Sequence, residues 1–211
     1  MISSLINVVY NIWFYVVFGV MAWQSGSLRD PRLRLQFFLS FVLTWAILGS
    51  LMAMLLSSAG PVYFGRVTGM EDIYAPLMHY LHAANQQYPI WALGVQDKLW
   101  VHYQHVIAGA GSGISAMPSM HVATSVLFTL LGWRTHRVLG LAFAAFTGII
   151  LVGSVHLGWH YAVDGYVAIV ATCLVWVAVA HVLARSSAMQ GPAWLSDARP
   201  LTNPRRRPNR T

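Results

Sequence analysis

Two short stretches of this chain hold the residue types that can do chemistry where an apolar helix meets water. One is Ala116-Met-Pro-Ser-Met-His121, and the other is His156-Leu-Gly-Trp-His160-Tyr-Ala-Val-Asp164. Each opens a long apolar run, 119–133 and 161–183. His160 and Asp164 are four apart, so on a helix they share a face and can touch. A neutral imidazole acts as base or nucleophile when a partner orients its second nitrogen, and a carboxylate one turn away supplies that. Ser119 and His121 add a hydroxyl and a second imidazole. With the two helix mouths together, the set reads as a nucleophile, its orienter, an acid and an anion-binding group. Ionisable groups inside a membrane are costly and mark function more often than packing.

Blander readings compete. Pro118-Ser119 can simply start a helix with Ser119 as N-cap, although a helix N-terminus with a free hydroxyl is also an anion site. His156, His160 and Asp164 at i, i+4, i+8 resemble a metal face. However, no glutamate completes an H-E-x-x-H pattern, and Gly158 interrupts the helix between the histidines, so neither a metal nor a cofactor is expected. His79, His82, His102 and His105 read as interfacial surface. The aromatics of the first run (Tyr10, Trp13, Phe14, Tyr15, Phe18) read as packing or lipid-facing surface. Asn7 and Asn11 suggest a face for hydrogen bonds between helices.

The elements that must position these residues are apolar helices. Of the 211 residues, 57% are hydrophobic and 9% charged, against about 25% charged in soluble domains. Five runs, roughly 5–23, 35–56, 119–134, 138–155 and 161–184, approach the ~20 residues that span a bilayer. The expected fold is an all-α polytopic membrane bundle of about five transmembrane helices. The single cysteine, Cys173, lies within an apolar run and excludes a disulfide framework or a cysteine-based metal site. The formal charge of +7 needs no nucleic-acid partner, because its arginines alternate between loops. Arg29, Arg32 and Arg34, then Arg134 and Arg137, then Arg185 and the tail mark cytoplasmic segments by the positive-inside rule. Segment 57–118 and the turn 156–160 then face outside, with both chemical stretches on that side. The N-terminus lacks a basic n-region and an A-x-A-like exit, so no cleaved signal peptide is expected.

Residues 1–185 form the expected membrane-embedded domain, and 186–211, rich in Pro, Arg and Asn, a disordered basic cytoplasmic tail. Segment 57–118 is too long for a structureless loop. Residues 71–84 and 95–107 predict two amphipathic helices that cap the outer side, and Gly109–Gly113 predicts a flexible turn able to approach a phosphate.

Pro-Ser-x-His at one helix start, with His-x-x-x-Asp at another about 40 residues on, resembles the type 2 phosphatidic acid phosphatase superfamily. The strings Ile114-Ser-Ala-Met-Pro-Ser-Met-His121 and Gly153-Ser-Val-His-Leu-Gly-Trp-His-Tyr-Ala-Val-Asp164 look most like its inositolphosphotransferase branch, which includes the inositol phosphorylceramide synthases. Tyr10-Asn-Ile-Trp-Phe14 and Ser58-Ala-Gly-Pro-Val-Tyr-Phe64 extend the resemblance over most of the chain. It implies metal-independent transfer of a phosphoryl or phosphodiester group from a phosphate-bearing membrane lipid, with water or a polyol such as inositol as acceptor. His160 would attack phosphorus and form a phosphohistidine, Asp164 would hold it, His121 would protonate the leaving oxygen, and Ser119 would bind phosphate oxygens. Two departures stand out. Ser154 occupies the place of an arginine in the phosphatases' last motif. Their Lys-x6-Arg-Pro motif is matched only poorly by Lys98 with His105-Val106, which also lies too close to Ser119, and Gly60-Pro61 with Arg66 is the better counterpart, which makes Arg66 and Ser154 the remaining substrate-binding candidates. The family also implies one spanning helix more, before the first run seen here. The expected location is the cell membrane, with the site on the outer side.

Three rival classes remain. A lipid- or solute-binding or transport protein would use the same polar groups, although inverted repeats and broken midplane helices are not visible. A non-catalytic relative and a metal hydrolase built on His156 are the others.

Overall fold

The computed structural model describes residues 1–105 and 115–185; Gly109–Gly113 and the tail 186–211 lie outside the described residues. These are helical, with no strand among them. Helix α1 (Ile2–Gly26) buries one stripe, Ser3, Asn7, Tyr10, Trp13, Val20 and Gln24, at the three-to-four spacing of a single helical face. Helix α2 (Pro31–Ala46) starts where Asp30 accepts a hydrogen bond from the Leu33 N–H at 2.9 Å, with proline in the first turn. It continues through a π-helical stretch, Ile47–Met52, into a last turn, α3 (Ala53–Leu55). The segment after α3 follows as a 3-10 turn (Pro61–Tyr63) and three helices, α4 (Phe64–Thr68), α5 (Ala75–Asn85) and α6 (Trp91–Gln104). The two expected cap helices are thus present with shifted ends; His79, His82 and His102 are exposed on them, and His105 just past the end of α6.

Helices α7 (Met120–Thr135), α8 (Arg137–His156) and α9 (Ala162–Arg185) complete the bundle. Four rods are long and apolar enough to cross a membrane: Ile2–Gly26, Pro31–Leu55, Arg137–His156 and Ala162–Arg185. The protein is therefore an integral membrane protein. Helix α7, expected as a fifth span, differs. Its 16 residues reach about 24 Å, and nine of them, from Val122 to Gly132, are buried. It packs against α8, α9, α2 and α1, so it is the bundle's interior rather than a lipid-facing rod. Because its neighbours are helices on several sides, its apolar positions need no single face.

The α7–α8 pair turns on His136 alone. There the chain passes close enough that a Cβ on Gly132 would lie 3.0 Å from the Gly140 backbone, and one on Gly140 would strike the Trp133 ring at 2.6 Å. Small residues let helix backbones approach in this way. Higher in the bundle, the Thr129 and Thr147 hydroxyls bond across the same pair at 2.9 Å. One cavity at the turn end joins Arg29 and Asp30 to Arg134, and a second joins Arg32 to Arg134 and Ala180. The arginine-rich loops therefore gather at one end of the bundle. The start of α7, the end of α8 and the start of α9 lie at the other.

Candidate active site

The site grows from a sharp turn between α8 and α9. The carbonyl of Ser154 accepts both the Trp159 and the His160 N–H groups, at 3.0 and 3.1 Å. Gly158 takes φ 74, a left-handed conformation that glycine adopts without strain. Segment 58–63 is laid against this turn: the Val62 N–H donates to the Gly158 carbonyl at 3.1 Å, and Gly60 approaches the Trp159 carbonyl too closely for any Cβ. Gln96 of α6 donates to the Leu157 carbonyl at 2.8 Å, and Tyr63 donates to the Gln96 carbonyl at 2.9 Å. The strand of chain before α7 is tied in by the Ala116 N–H, which donates to the Ser58 carbonyl at 2.7 Å.

This framework holds His160 just ahead of α9 rather than on it. His160 Nδ1 lies 2.6 Å from the Ala116 carbonyl oxygen and 3.7 Å from Asp164 Oδ2. A carbonyl only accepts, so Nδ1 is the protonated nitrogen, and in the neutral ring Nε2 carries the lone pair. The nearer orienting partner is thus a backbone carbonyl, with Asp164 behind it. Asp164 itself is 1% exposed and accepts the Tyr161 N–H at 2.8 Å. That bond closes the first turn of α9, as a carboxylate three residues past an N-cap can.

His121 sits in the first turn of α7 and is held differently. Its ring stacks on Tyr10 at 4.5 Å between centroids and 21° between planes. Trp13 covers it at 4.2 Å, tilted by 39°, and Phe14 meets it edge-on at 6.3 Å. Trp13 Nε1–H also donates to the His121 carbonyl at 3.1 Å. The first run's aromatics therefore divide. Tyr10 and Trp13 enclose the imidazole, whereas Tyr15 and Phe18 are exposed. The sequence reading of a general packing or lipid-facing stripe missed this; spacing alone does not say which neighbour a buried aromatic meets. Asn7 does bridge helices, as expected, with its side-chain carbonyl accepting the Ala92 N–H of α6 at 3.1 Å.

His121 and His160 share two cavities. One, of about 190 Å³, is also lined by Gly60, Tyr63, Leu99, Ser115, Ala116, Pro118, Met120 and Trp159. The other, of about 380 Å³, runs between α1 and α6 past Tyr10, Asn11, Phe14, Ala92, Val95 and Leu99. Phe14 and Val95 in its wall are exposed on the bundle's outside. Burial pushes the Tyr63 phenol up to about 12, with Arg66 opposing and Asp97 adding to the shift. Tyr63 therefore stays a neutral donor.

The remaining candidates lie elsewhere. Ser119 occupies the N-cap position of α7, but its hydroxyl makes no capping bond and is buried without a partner among the described residues. The Ser154 hydroxyl turns back onto its own helix, donating to the Leu151 carbonyl at 2.8 Å, so the residue shapes the turn through its backbone. Arg66 lines a separate polar cleft with Asp72, His82, Gln96 and Asp97. Its guanidinium sits over the Trp100 ring at 5.4 Å. Among the described residues, no lysine or arginine lines either histidine cavity. His156 points away, to the Ser3 hydroxyl at 2.9 Å and the edge of Tyr80.

A family model described as the PAP2 superfamily matches residues 1–181. The chain belongs to the PAP2 superfamily. No curated protein and no solved structure matches it. As a PAP2 protein it is a membrane enzyme of the phosphatase type, and its substrate is a phosphate-bearing lipid. The stretches that carried the resemblance, around His121 and around His160, are those that the fold brings to one cavity.

Proposed function

We propose that His160 Nε2 attacks the phosphorus of a membrane lipid and that His121 is the acid. A P–N bond forms, the P–O bond to the leaving group breaks, and His121 gives its proton to the departing oxygen. Water or an alcohol then attacks phosphorus, His121 takes the proton back, and the P–N bond breaks. The observation that carries this reading is the 2.6 Å contact from His160 Nδ1 to the Ala116 carbonyl. It frees the other nitrogen for attack in the wall of a cavity that His121 also lines. Asp164, at 3.7 Å, would add negative charge behind the ring as it becomes cationic. Ser119 and the start of α7 would hold phosphate oxygens once a substrate draws the hydroxyl round.

The finer assignment is to a transferase, on a phosphodiester donor. A dianionic monoester favours bidentate guanidinium contacts. Among the described residues neither histidine cavity has a cationic side chain in its wall, Ser154 stands in the arginine's place, and Arg66 is turned into another cleft. A singly charged phosphodiester needs such contacts less, and a polyol such as inositol would then be an acceptor. The arginine-poor end that carries the site would face outward from the cell membrane.

The test uses purified protein in detergent with a radiolabelled panel: phosphatidic acid, a polyprenyl phosphate and an inositol-phosphate lipid. An adduct stable to alkali and lost in acid, present in the wild type and absent in His160→Ala, is the expected result. Turnover undiminished in His160→Ala sinks the nucleophile. Fastest hydrolysis of a monoester, with no competition from added polyol, sinks the transferase and leaves the hydrolase.

A further inference from the structure

His121 has a requirement that its surroundings do not obviously meet. An acid must carry a proton, yet this imidazole is enclosed by α1, and burial penalises a charged ring. No hydrogen bond reaches either ring nitrogen among the described residues; the bonds that involve His121 from Trp13 and Ser125 go to its backbone carbonyl. What touches the ring is aromatic. Tyr10 lies nearly parallel to it at 4.5 Å, and Trp13 covers it at 4.2 Å. The negative face of an aromatic ring attracts a cation within about 6 Å of its centroid, most strongly where water is excluded. Both faces meet that distance, and both rings are buried, Tyr10 at 6% and Trp13 at 3% exposure.

We propose that Tyr10 and Trp13 are positioning residues for His121, a pair of aromatic faces that fix its ring in the cavity wall and favour its protonated form. The pair is anchored independently of the imidazole. Trp13 holds the His121 backbone by its indole N–H, and α1 is fastened to α6 through Asn7 and Ala92 three residues before Tyr10. The titratable groups that face His121 are few. Tyr10 comes from α1, Tyr63 from the turn before α4, and His160 from the turn after α8. Helix α6 presents Ala92, Val95 and Leu99, and α9 presents Asp164 to His160 rather than to His121. No carboxylate stands against the ring among these, so the aromatic faces are its source of favourable electrostatics. The role as acid rests on the function proposed above; the effect of the faces on protonation does not.

The experiment follows the His121 ring directly, by NMR of the full chain with labelled histidine in detergent, its resonance assigned by loss in His121→Ala. Tyr10→Leu keeps apolar cover and removes one π face. Its titration midpoint should fall by about one pH unit, the tenfold change expected of a desolvated cation–π contact. Tyr10→Phe keeps the face and should stay within a few tenths of a unit of wild type. If the aromatics were mere apolar cover, loosening them would admit water and raise the midpoint. An unchanged or raised midpoint in Tyr10→Leu therefore overturns the proposal, as does a wild-type ring that stays neutral down to about pH 4, well below the ordinary histidine range. Should Tyr10→Leu not fold, stepwise fluorination of tryptophan placed at position 13 drains the ring face without changing its shape. The midpoint should then fall with each fluorine, and a flat series rejects the idea. Turnover of His160→Ala and His121→Ala is measured alongside. Full activity there would reject the catalytic reading while leaving the titration result to stand by itself.

Discussion

The two histidines of the site are held by opposite means. His160 is fixed at its edge, by one short bond to a carbonyl and a carboxylate behind it. His121 is fixed on its faces, by rings that offer no hydrogen-bond acceptor in the ring plane. An edge bond chooses which nitrogen bears the proton and leaves the other free to attack. Face contacts choose no nitrogen, but they favour a charge spread over the ring. The first suits a group that must donate electrons in one direction, and the second a group that must gain and lose a proton.

The comparison is broken most severely by removing either ring. His160→Ala should lower turnover by roughly 10^4-fold or more, because the proposed attacking atom itself is lost. His121→Ala should cost about 10^2 to 10^4, the usual span for a general acid. A good leaving group such as nitrophenolate needs little protonation, so it should restore much of the rate in His121→Ala and almost none in His160→Ala. Equal rescue of both would mean that the roles are not divided. Asp164→Asn should be milder than His160→Ala, since the Ala116 carbonyl still orients Nδ1 and the amide oxygen can still accept the Tyr161 N–H. A loss as large as that of His160→Ala would make Asp164, not the carbonyl, the controlling partner.

Acidity sharpens the same contrast. Attack needs a neutral His160 and departure needs a protonated His121, so the rate should rise and then fall with pH, with limbs that belong to the pair. A rate flat from acid to strongly alkaline solution would argue against a two-histidine mechanism. The smallest effect is expected at Asn7, beyond both rings. Asn7→Ala leaves the Ala92 N–H without its acceptor and should cost about 1–2 kcal/mol of stability. Thermal unfolding in detergent would read this, and no change would show that water replaces the amide.

The sequence carried the parts whose signal is side-chain type at a fixed spacing. The apolar runs, the alternating arginines, the cap helices and the meeting of His121 with His160 were all legible in that way. Three features were not. The orienter of His160 is the carbonyl of Ala116, and every residue has a carbonyl. Tyr10 and Trp13 enclose His121 while Tyr15 and Phe18 face outward, yet all four belong to one aromatic run. Ser154 and Arg66 hold motif positions, but position does not fix where a side chain turns: one hydroxyl bonds its own helix and one guanidinium lies over Trp100. The length of α7 was nearly right; its place at the centre of the bundle depended on what surrounds it.

The contact of Gly132 with Gly140 has a mechanical consequence for the far end of the molecule. Measured along the helices, His121 lies about 16 Å from that contact and His156, where the last turn begins, about 24 Å. The α7–α8 pair is a set of tongs, riveted beside the arginine loops and carrying the histidines at its jaws. A close-packed interior transmits strain rather than absorbing it. The spacing of the two rings is therefore set in part at the arginine-rich end of the bundle, and whatever spreads the rivet there is felt as misalignment at the jaws.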